Sequence, residues 1–108
     1  MVKDIDGINV HYEVKGSGKY VFILHGWGAN ISVYRSVADL LSQKFTVVSL
    51  DFPGFGGTAE PPEVWSVSDY AAFTVKFIAS FGVKEVILFG HSFGGRVITV
   101  SYTHLRAH

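Results

Sequence analysis

Three short apolar runs constrain the fold of this chain more than any other feature. They extend from Tyr20 to Leu24, from Thr46 to Leu50 and from Glu85 to Phe89. They do not alternate with polar residues, as expected of strands buried on both faces. Apolar residues at the spacing of one helix face occupy the two intervals: Val33, Val37, Leu40 and Leu41 in the first, and Tyr70, Thr74, Phe77, Ile78 and Phe81 in the second. This alternation predicts parallel βαβ units with right-handed crossovers.

A hairpin is predicted before these units. From Ile8 to Lys15 apolar residues alternate with polar ones, which is the period of a half-exposed strand. Val2 to Ile5 can pair with it across Asp6-Gly7, a common hairpin turn. We therefore expect an α/β fold with three layers, in which a mainly parallel sheet carries an antiparallel N-terminal hairpin between layers of helix.

Capping signals place the ends of the two predicted helices. Ser32 is a plausible N-cap for the first. The second begins at Ser66, which forms a pattern close to a capping box with Asp69, and it is expected to stop at Gly82.

The composition limits which classes of partner and which cellular compartment are expected for this protein. Hydrophobic residues make up 48% of the 108 residues before the 12 glycines are added, which indicates one domain or less, a core without its full polar shell. Nine basic residues balance nine acidic ones, so we expect no nucleic-acid or membrane partner. The absence of cysteine excludes disulfides, and Met1 to Gly7 lacks the apolar run of a secretory signal. These features predict a soluble, cytoplasmic protein; they leave its oligomeric state open.

The last residues depart from the pattern. An apolar helix begins at Gly94, but Ser101 to His108 no longer continues it. Preceded by Val100, this octapeptide resembles one translated reading frame of the transposon-end adapter used in DNA library preparation. We expect residues 1–100 to be the N-terminal part of a single domain and 101–108 to be a non-native tail. The alternative is an ordinary helix with two exposed histidines.

The strongest chemical signal is Gly90-His91-Ser92-Phe93-Gly94, between a buried strand and a helix. This is the context of the G-x-S-x-G nucleophile elbow. The strand and helix backbones close on each other there, so the residues two positions either side of Ser92 must be small; Gly95 would relieve the crowding further. The alternative is a glycine-rich turn in which Ser92 only caps the helix.

A second motif completes the predicted site. Leu24-His25-Gly26-Trp27-Gly28 closes the first buried strand, and an oxyanion hole needs two main-chain donors. Phe93 would supply one and Trp27 the other, with His25 fixing this loop by hydrogen bonds. Taken alone, the motif could also be a strand-terminating loop with a packed aromatic residue. In the turn from Asp51 to Thr58, we interpret Asp51 as a partner of local backbone and not as a catalytic acid.

Three rival motifs match in spacing but fail on the residues that stand at or after them. Gly90 to Val97 has P-loop spacing, but the required lysine and hydroxyl residue are replaced. Gly54 to Ala59 matches a dinucleotide fingerprint, but Glu60-Pro61-Pro62 follows where a helix must open. His104 and His108 have the i, i+4 spacing of a metal pair without the glutamate of the zinc-protease motif, and we expect no metal.

With HGWG, DFPGFGGT and GHSFGG at the ends of three successive strands, the chain resembles the α/β-hydrolase superfamily from about Val2 to Val100. HGWGAN and DFPGFGG are most similar to the pimeloyl-carrier-protein methyl ester esterase, to related small carboxylesterases and to carbon–carbon bond hydrolases. The resemblance implies a mainly parallel sheet, Ser92 as nucleophile, main-chain donors at Trp27 and Phe93, and no cofactor.

The same resemblance sets the expected function and its limits. It implies a serine hydrolase acting on a small-molecule ester or related acyl substrate through an acyl-enzyme. In that fold the triad acid and histidine follow the nucleophile, and no residue after Ser92 can fill these places, so we expect the 108-residue chain to be inactive. The alternatives are a carbon–carbon bond hydrolase, a non-catalytic ligand-binding relative, or an incomplete gene product with no function of its own.

Overall fold

The computed structural model describes residues 1–25, 30–90 and 94–98. Within this part the chain forms these strands: β1 (Val2–Ile5), β2 (Ile8–Lys15), β3 (Tyr20–Leu24), β4 (Thr46–Leu50) and β5 (Val86–Gly90). The bounds of β3 and β4 coincide with the predicted runs, and β5 is shifted by one residue. The predicted boundary at residue 100 lies outside the described residues and stays a prediction.

The strands form a mixed sheet in the order β1-β2-β4-β3-β5. β3 pairs in parallel with both β4 and β5, whereas β2 is antiparallel to β4 and to β1. Asp6 and Gly7 join the hairpin with φ values of 50° and 84°. Positive φ at both central residues is the signature of a type I′ turn, which suits the twist of the strands. The predicted hairpin and parallel units are confirmed.

Helix α2 (Val67–Ala79) follows the prediction at its start. The Ser66 hydroxyl accepts a hydrogen bond from Asp69 N–H at 3.2 Å, and the Asp69 carboxylate accepts one from Ser66 N–H at 2.8 Å. This reciprocal pair is the predicted capping box. The helix ends at Ala79, before the predicted stop, and Gly82 lies in the turn that follows with φ 68°.

The first helical region departs from its prediction. It opens as a 3-10 helix (Ile31–Tyr34) and continues as α1 (Arg35–Leu41). Its cap is Asn30, whose side chain accepts a hydrogen bond from Ser32 N–H at 2.9 Å, so the prediction of Ser32 as N-cap was wrong. Val33 and Leu40 are exposed. A 3-10 turn rotates further per residue than an α-helix, which moves Val33 off the face set by α1. Within α1 the buried face centres on Ala38, with Val37 and Leu41 beside it, and Leu40 points away from it.

The helices cover opposite faces of the sheet, which gives the predicted three-layer fold. On one face, α2 and Val97 pack on alternate strand residues that are fully buried, among them Phe22, Leu24, Val48 and Leu50. On the other face, α1 places Ala38 against Ile23 and Val47. Each strand residue thus reaches the face opposite to its neighbour, and β3 and β4 are buried on both faces.

Strand β5 is less buried than predicted. Ile87 is 44% exposed and Phe89 39% exposed, both on positions that alternate with more buried ones. The reason is that β5 lies at an edge of the sheet in the described residues and the short α1 covers little of its face. Among those residues, no helix has both the length and the apolarity needed to cross a membrane.

Candidate functional site

The predicted nucleophile and oxyanion donors follow two neighbouring strands. Trp27 lies in the 26–29 segment after β3, and Ser92 and Phe93 lie in the 91–93 segment after β5. All three residues lie outside the described part of the chain, and their roles stay predictions. The two strands are parallel, with Leu24 opposite Gly90, so their carboxyl ends lie side by side. Ligands of such sheets bind at this carboxyl edge.

The glycines that flank the predicted elbow leave no room for a side chain. A Cβ at Gly90 would lie 2.7 Å from the carbonyl carbon of Gly94, and one at Gly94 would overlap the carbonyl oxygen of Leu24. The helix of residues 94–98 therefore starts in backbone contact with the ends of both strands. The expectation that both positions must be small is confirmed. The expectation that Gly95 relieves the crowding further is not supported, because among the described residues a Cβ there would meet its nearest atom at 3.9 Å.

A hydrogen bond holds His25 directly before the 26–29 segment, as expected. Its side chain is buried, and its Nε2 accepts a hydrogen bond from Phe52 N–H at 3.0 Å. The ring meets those of Phe52 and Phe55 edge-on, with centroids 4.8 and 5.4 Å away. Because Nε2 accepts, the imidazole is neutral and carries its proton on Nδ1. The lone pair that a general base would use is occupied by this hydrogen bond.

Asp51 binds Ile31, two residues after the 26–29 segment. Its carboxylate is buried directly after β4, and Oδ1 accepts a hydrogen bond from Ile31 N–H at 2.8 Å. Oδ2 accepts a second from Gly57 N–H at 2.9 Å and lies 3.0 Å from His11 Nδ1. Both oxygens thus bind neighbouring groups. This supports the interpretation of Asp51 as a structural residue, and it adds a contact, to Ile31, that reaches beyond the local turn.

Two of the residues that hold this region carry no motif in the sequence. His11 is a polar position of the alternating strand β2, and its backbone N–H donates to the Thr58 hydroxyl at 2.9 Å. Tyr70 of α2 donates its hydroxyl hydrogen to the Pro53 carbonyl at 3.0 Å. Burial raises the pKa of Tyr70, so its phenol remains a neutral donor. Only the apolar spacing of α2 indicated that Tyr70 would face inward.

Across residues 1–25, 30–90 and 94–98, no group of three or more His, Asp or Glu side chains converges where it could hold a metal ion. His104 and His108, the pair with metal-like spacing, lie outside these ranges. The expected lack of a metal and of a cofactor therefore stays a prediction.

Comparison with known proteins shows which family this chain matches and which proteins it is similar to. The family described as alpha/beta hydrolase fold matches residues 19–102. The dihydrolipoyllysine-residue acetyltransferase component of the acetoin cleaving system of Cupriavidus necator is 35% identical over 95 residues, which cover 87% of this chain and 25% of that protein. The soluble epoxide hydrolase of Corynebacterium sp. is 31% identical over 93 residues, which cover 86% of this chain and 32% of that protein.

The backbone of this chain is also similar to those of solved structures. The crystal structure of an epoxide hydrolase from Vigna radiata matches with a TM-score of 0.88 and 28% identity, over 94% of this chain and 34% of that chain. The chain spans about a quarter to a third of the length of the curated relatives it matches.

Proposed function

The chain belongs to the α/β-hydrolase family, and from that premise we propose that its parent protein is a serine hydrolase that cleaves a carboxylic ester or a related acyl substrate. Ser92 attacks the carbonyl carbon, the alcohol leaves, and water then hydrolyses the acyl-enzyme to release the acid. The N–H groups of Trp27 and Phe93 stabilise the oxyanion of each tetrahedral intermediate. The acid and the histidine of the triad belong to the rest of the parent protein.

One observation carries this proposal: the backbones of Gly90 and Gly94 touch, and Gly94 also touches the end of β3 at Leu24. Only three residues connect the two glycines, and Ser92 is the middle one. A connection that short, between a parallel strand and a helix, is what a nucleophile elbow requires. A serine that merely caps a helix needs no contact of this kind with the neighbouring strand.

The chemistry of serine favours an acyl substrate over an alkyl one. Relatives of this chain include epoxide hydrolases. If the Ser92 hydroxyl opened an epoxide, the product would be a serine ether, which water does not cleave under conditions that hydrolyse esters. An ester substrate instead leaves an acyl-serine, which water can hydrolyse to restore the enzyme. The acetyltransferase relative shares only a quarter of its length with this chain, so its name does not assign acetyl transfer to this part.

A fluorophosphonate probe on the full-length parent protein tests the proposal. Ser92 Oγ would displace fluoride from phosphorus, provided that a histidine takes its proton and main-chain donors hold the phosphoryl oxygen. We expect labelling at Ser92 alone and none in the Ser92→Ala variant. Ser66→Ala is the matched control, because Ser66 caps α2 and should leave labelling unchanged.

The outcomes separate the alternatives. Labelling of Ser92 with turnover of a vinylogous diketone, and none of esters, would move the proposal to carbon–carbon bond hydrolysis. A parent protein that binds a small ligand but shows no labelling at Ser92 would be a non-catalytic relative. Labelling that persists in Ser92→Ala would mean that the elbow is only a structural turn.

A further inference from the structure

Two of the nine acidic side chains stand apart from the others, because the rest have a partner. Four form ion pairs with lysine or arginine, and three accept hydrogen bonds from main-chain N–H groups: Asp6, Glu13, Asp39 and Glu85, and Asp4, Asp51 and Asp69. Within residues 1–25, 30–90 and 94–98, neither Glu60 nor Glu63 has an ion pair or a side-chain hydrogen bond. Their charges are balanced by no described neighbour.

Both glutamates line the same cavity. It has a volume of about 560 Å³ and lies between the turn after β4 and the start of α2. Its wall is otherwise mainly aromatic and aliphatic, with Phe55, Val64 and Trp65 among its side chains, and no described lysine, arginine or histidine lines it. Small-molecule sites have volumes of about 300–1,000 Å³ and combine apolar walls with a few polar groups.

Hydrogen bonds hold the turn that forms one side of this cavity. Gly54 N–H donates to the Ala59 carbonyl at 3.0 Å, and the Tyr70 hydroxyl donates to the Pro53 carbonyl at 3.0 Å. A Cβ at Gly54 would lie 3.8 Å from Glu60 Cγ and 4.0 Å from the Tyr70 hydroxyl oxygen. After burial, the negative charge of Glu60 is the second cause that raises the pKa of Tyr70. The Glu60 carboxylate therefore acts on the aromatic wall of the cavity.

Trp65 gives the cavity its largest aromatic surface. Its ring is half-buried and packs against the ring of Tyr70, with centroids 5.1 Å apart, and that of Phe73, 5.6 Å apart. The adjacent Val64 is 99% exposed. The face of an aromatic ring carries negative potential and attracts cations, most strongly for tryptophan. Aromatic faces and unpaired carboxylates thus favour the same sign of charge in a ligand.

We propose that this cavity binds a small organic cation, with its apolar body on Trp65 and Val64 and its positive charge beside Glu60 and Glu63. An anion would meet two carboxylates and no basic group. A basic protein segment offers the same charge, but the cavity has the volume of a small-molecule site and not the area of a protein interface. The lining includes none of the predicted catalytic residues, so the proposal does not depend on Ser92.

Isothermal titration of the full-length parent protein with benzyltrimethylammonium tests this site. We expect saturable binding of one cation per chain. Benzyl alcohol, which has the same ring without the charge, should bind at least about fivefold more weakly. Added sodium chloride should weaken binding of the cation and leave that of the alcohol unchanged, because salt screens exposed charges.

Variants of exposed residues locate the cation without disturbing the core. Glu60→Gln and Glu63→Gln should each weaken its binding about two- to fivefold, and the double variant more than either. Glu85→Gln is the matched control, because Glu85 is also exposed but lies outside the cavity, 3.6 Å from Lys19 Nζ; it should leave the affinity unchanged. Trp65→Leu, which keeps an apolar side chain, should weaken binding of the cation more than that of benzyl alcohol.

Three results would overturn the proposal. One is the absence of saturable binding of benzyltrimethylammonium. Another is equal affinity for the cation and the alcohol, which would mean that the cavity is only an apolar surface. The third is an unchanged affinity in the double glutamine variant, which would place the cation elsewhere. If a lysine-rich peptide bound through Glu60 and Glu63 while the small cation did not, the site would instead belong to a protein partner.

Discussion

The ends of β3 and β5 lie side by side, but the residues around them are fixed in different ways. After β5, Gly90 and Gly94 touch each other and Gly94 touches Leu24, so the junction is set by the size of backbone atoms. After β3, the junction is set by hydrogen bonds that involve the side chains of His25 and Asp51. The packed junction can accept no added carbon, whereas the polar junction can accept a change of size but is weakened by the loss of a partner.

The two junctions differ because the energy of atomic overlap rises much more steeply than the energy lost with one hydrogen bond. Repulsion between overlapping atoms rises sharply, so one methyl group at Gly94 must move a strand or a helix. A buried hydrogen bond that loses one partner costs about 1–3 kcal/mol, which a fold can often bear. We therefore expect changes at the packed junction to act on folding and changes at the polar junction to act on catalysis.

The largest expected effect is on kcat and comes from replacing Ser92, which follows Gly90 at the packed junction. Ser92→Ala in the full-length protein should lower kcat by about 10⁴-fold or more, as removal of a triad nucleophile does, and should not alter the midpoint of urea unfolding. Steady-state hydrolysis of an activated ester and circular dichroism measure the two quantities. A variant that keeps most of its turnover would show that the junction serves structure alone.

The next largest effect tests the packing itself. Gly94→Ala should destabilise the protein by about 3 kcal/mol or more, because its Cβ would overlap the Leu24 carbonyl oxygen. The neighbouring Gly95→Ala is the control: its Cβ has ordinary space, and alanine in a helix should add up to about 1 kcal/mol. Urea unfolding of both variants gives the comparison. Equal stability of the two would contradict the described contact.

At the polar junction, His25→Phe should cost about 1–3 kcal/mol, because the Phe52 N–H loses its His25 acceptor while the ring volume is kept. His25→Gln retains an acceptor and should cost less. Unfolding midpoints and ester hydrolysis of both variants would measure the loss of stability and the accompanying fall in kcat. A Phe variant as stable and as active as the wild type would mean that this hydrogen bond does not hold the segment.

The smallest effect is expected where a polar contact lies outside the site. Ser66→Ala removes the N-cap of α2 and should cost about 1 kcal/mol. Ester turnover below the unfolding temperature should stay at the wild-type level, since α2 supports the sheet from one face. A fall in kcat would show that the site is coupled to the whole α2 face and not to the 26–29 segment.

The parts of the fold that were predictable depend on residues close together in the chain. The unbroken apolar runs of β3 and β4, the Asp6-Gly7 turn and the Ser66–Asp69 capping box each have their cause within a few residues. The burial of β5 and the face of α1 were predicted wrongly. Both depend on what lies against these elements in space, and local spacing does not carry that information.

For the candidate site, too, some features were predictable from the sequence and others were not. Sequence alone determined that Ser92 stands between glycines just after a strand, and the crowding at Gly90 and Gly94 agrees with what that motif needs. Only the tertiary structure decided the partners of Asp51. Tyr12 pairs with Leu50 in the antiparallel register of β2 and β4, and this brings His11 beside Asp51, 40 residues away along the chain. No short motif can encode that pairing, because strand register is set by how the whole sheet buries its apolar faces.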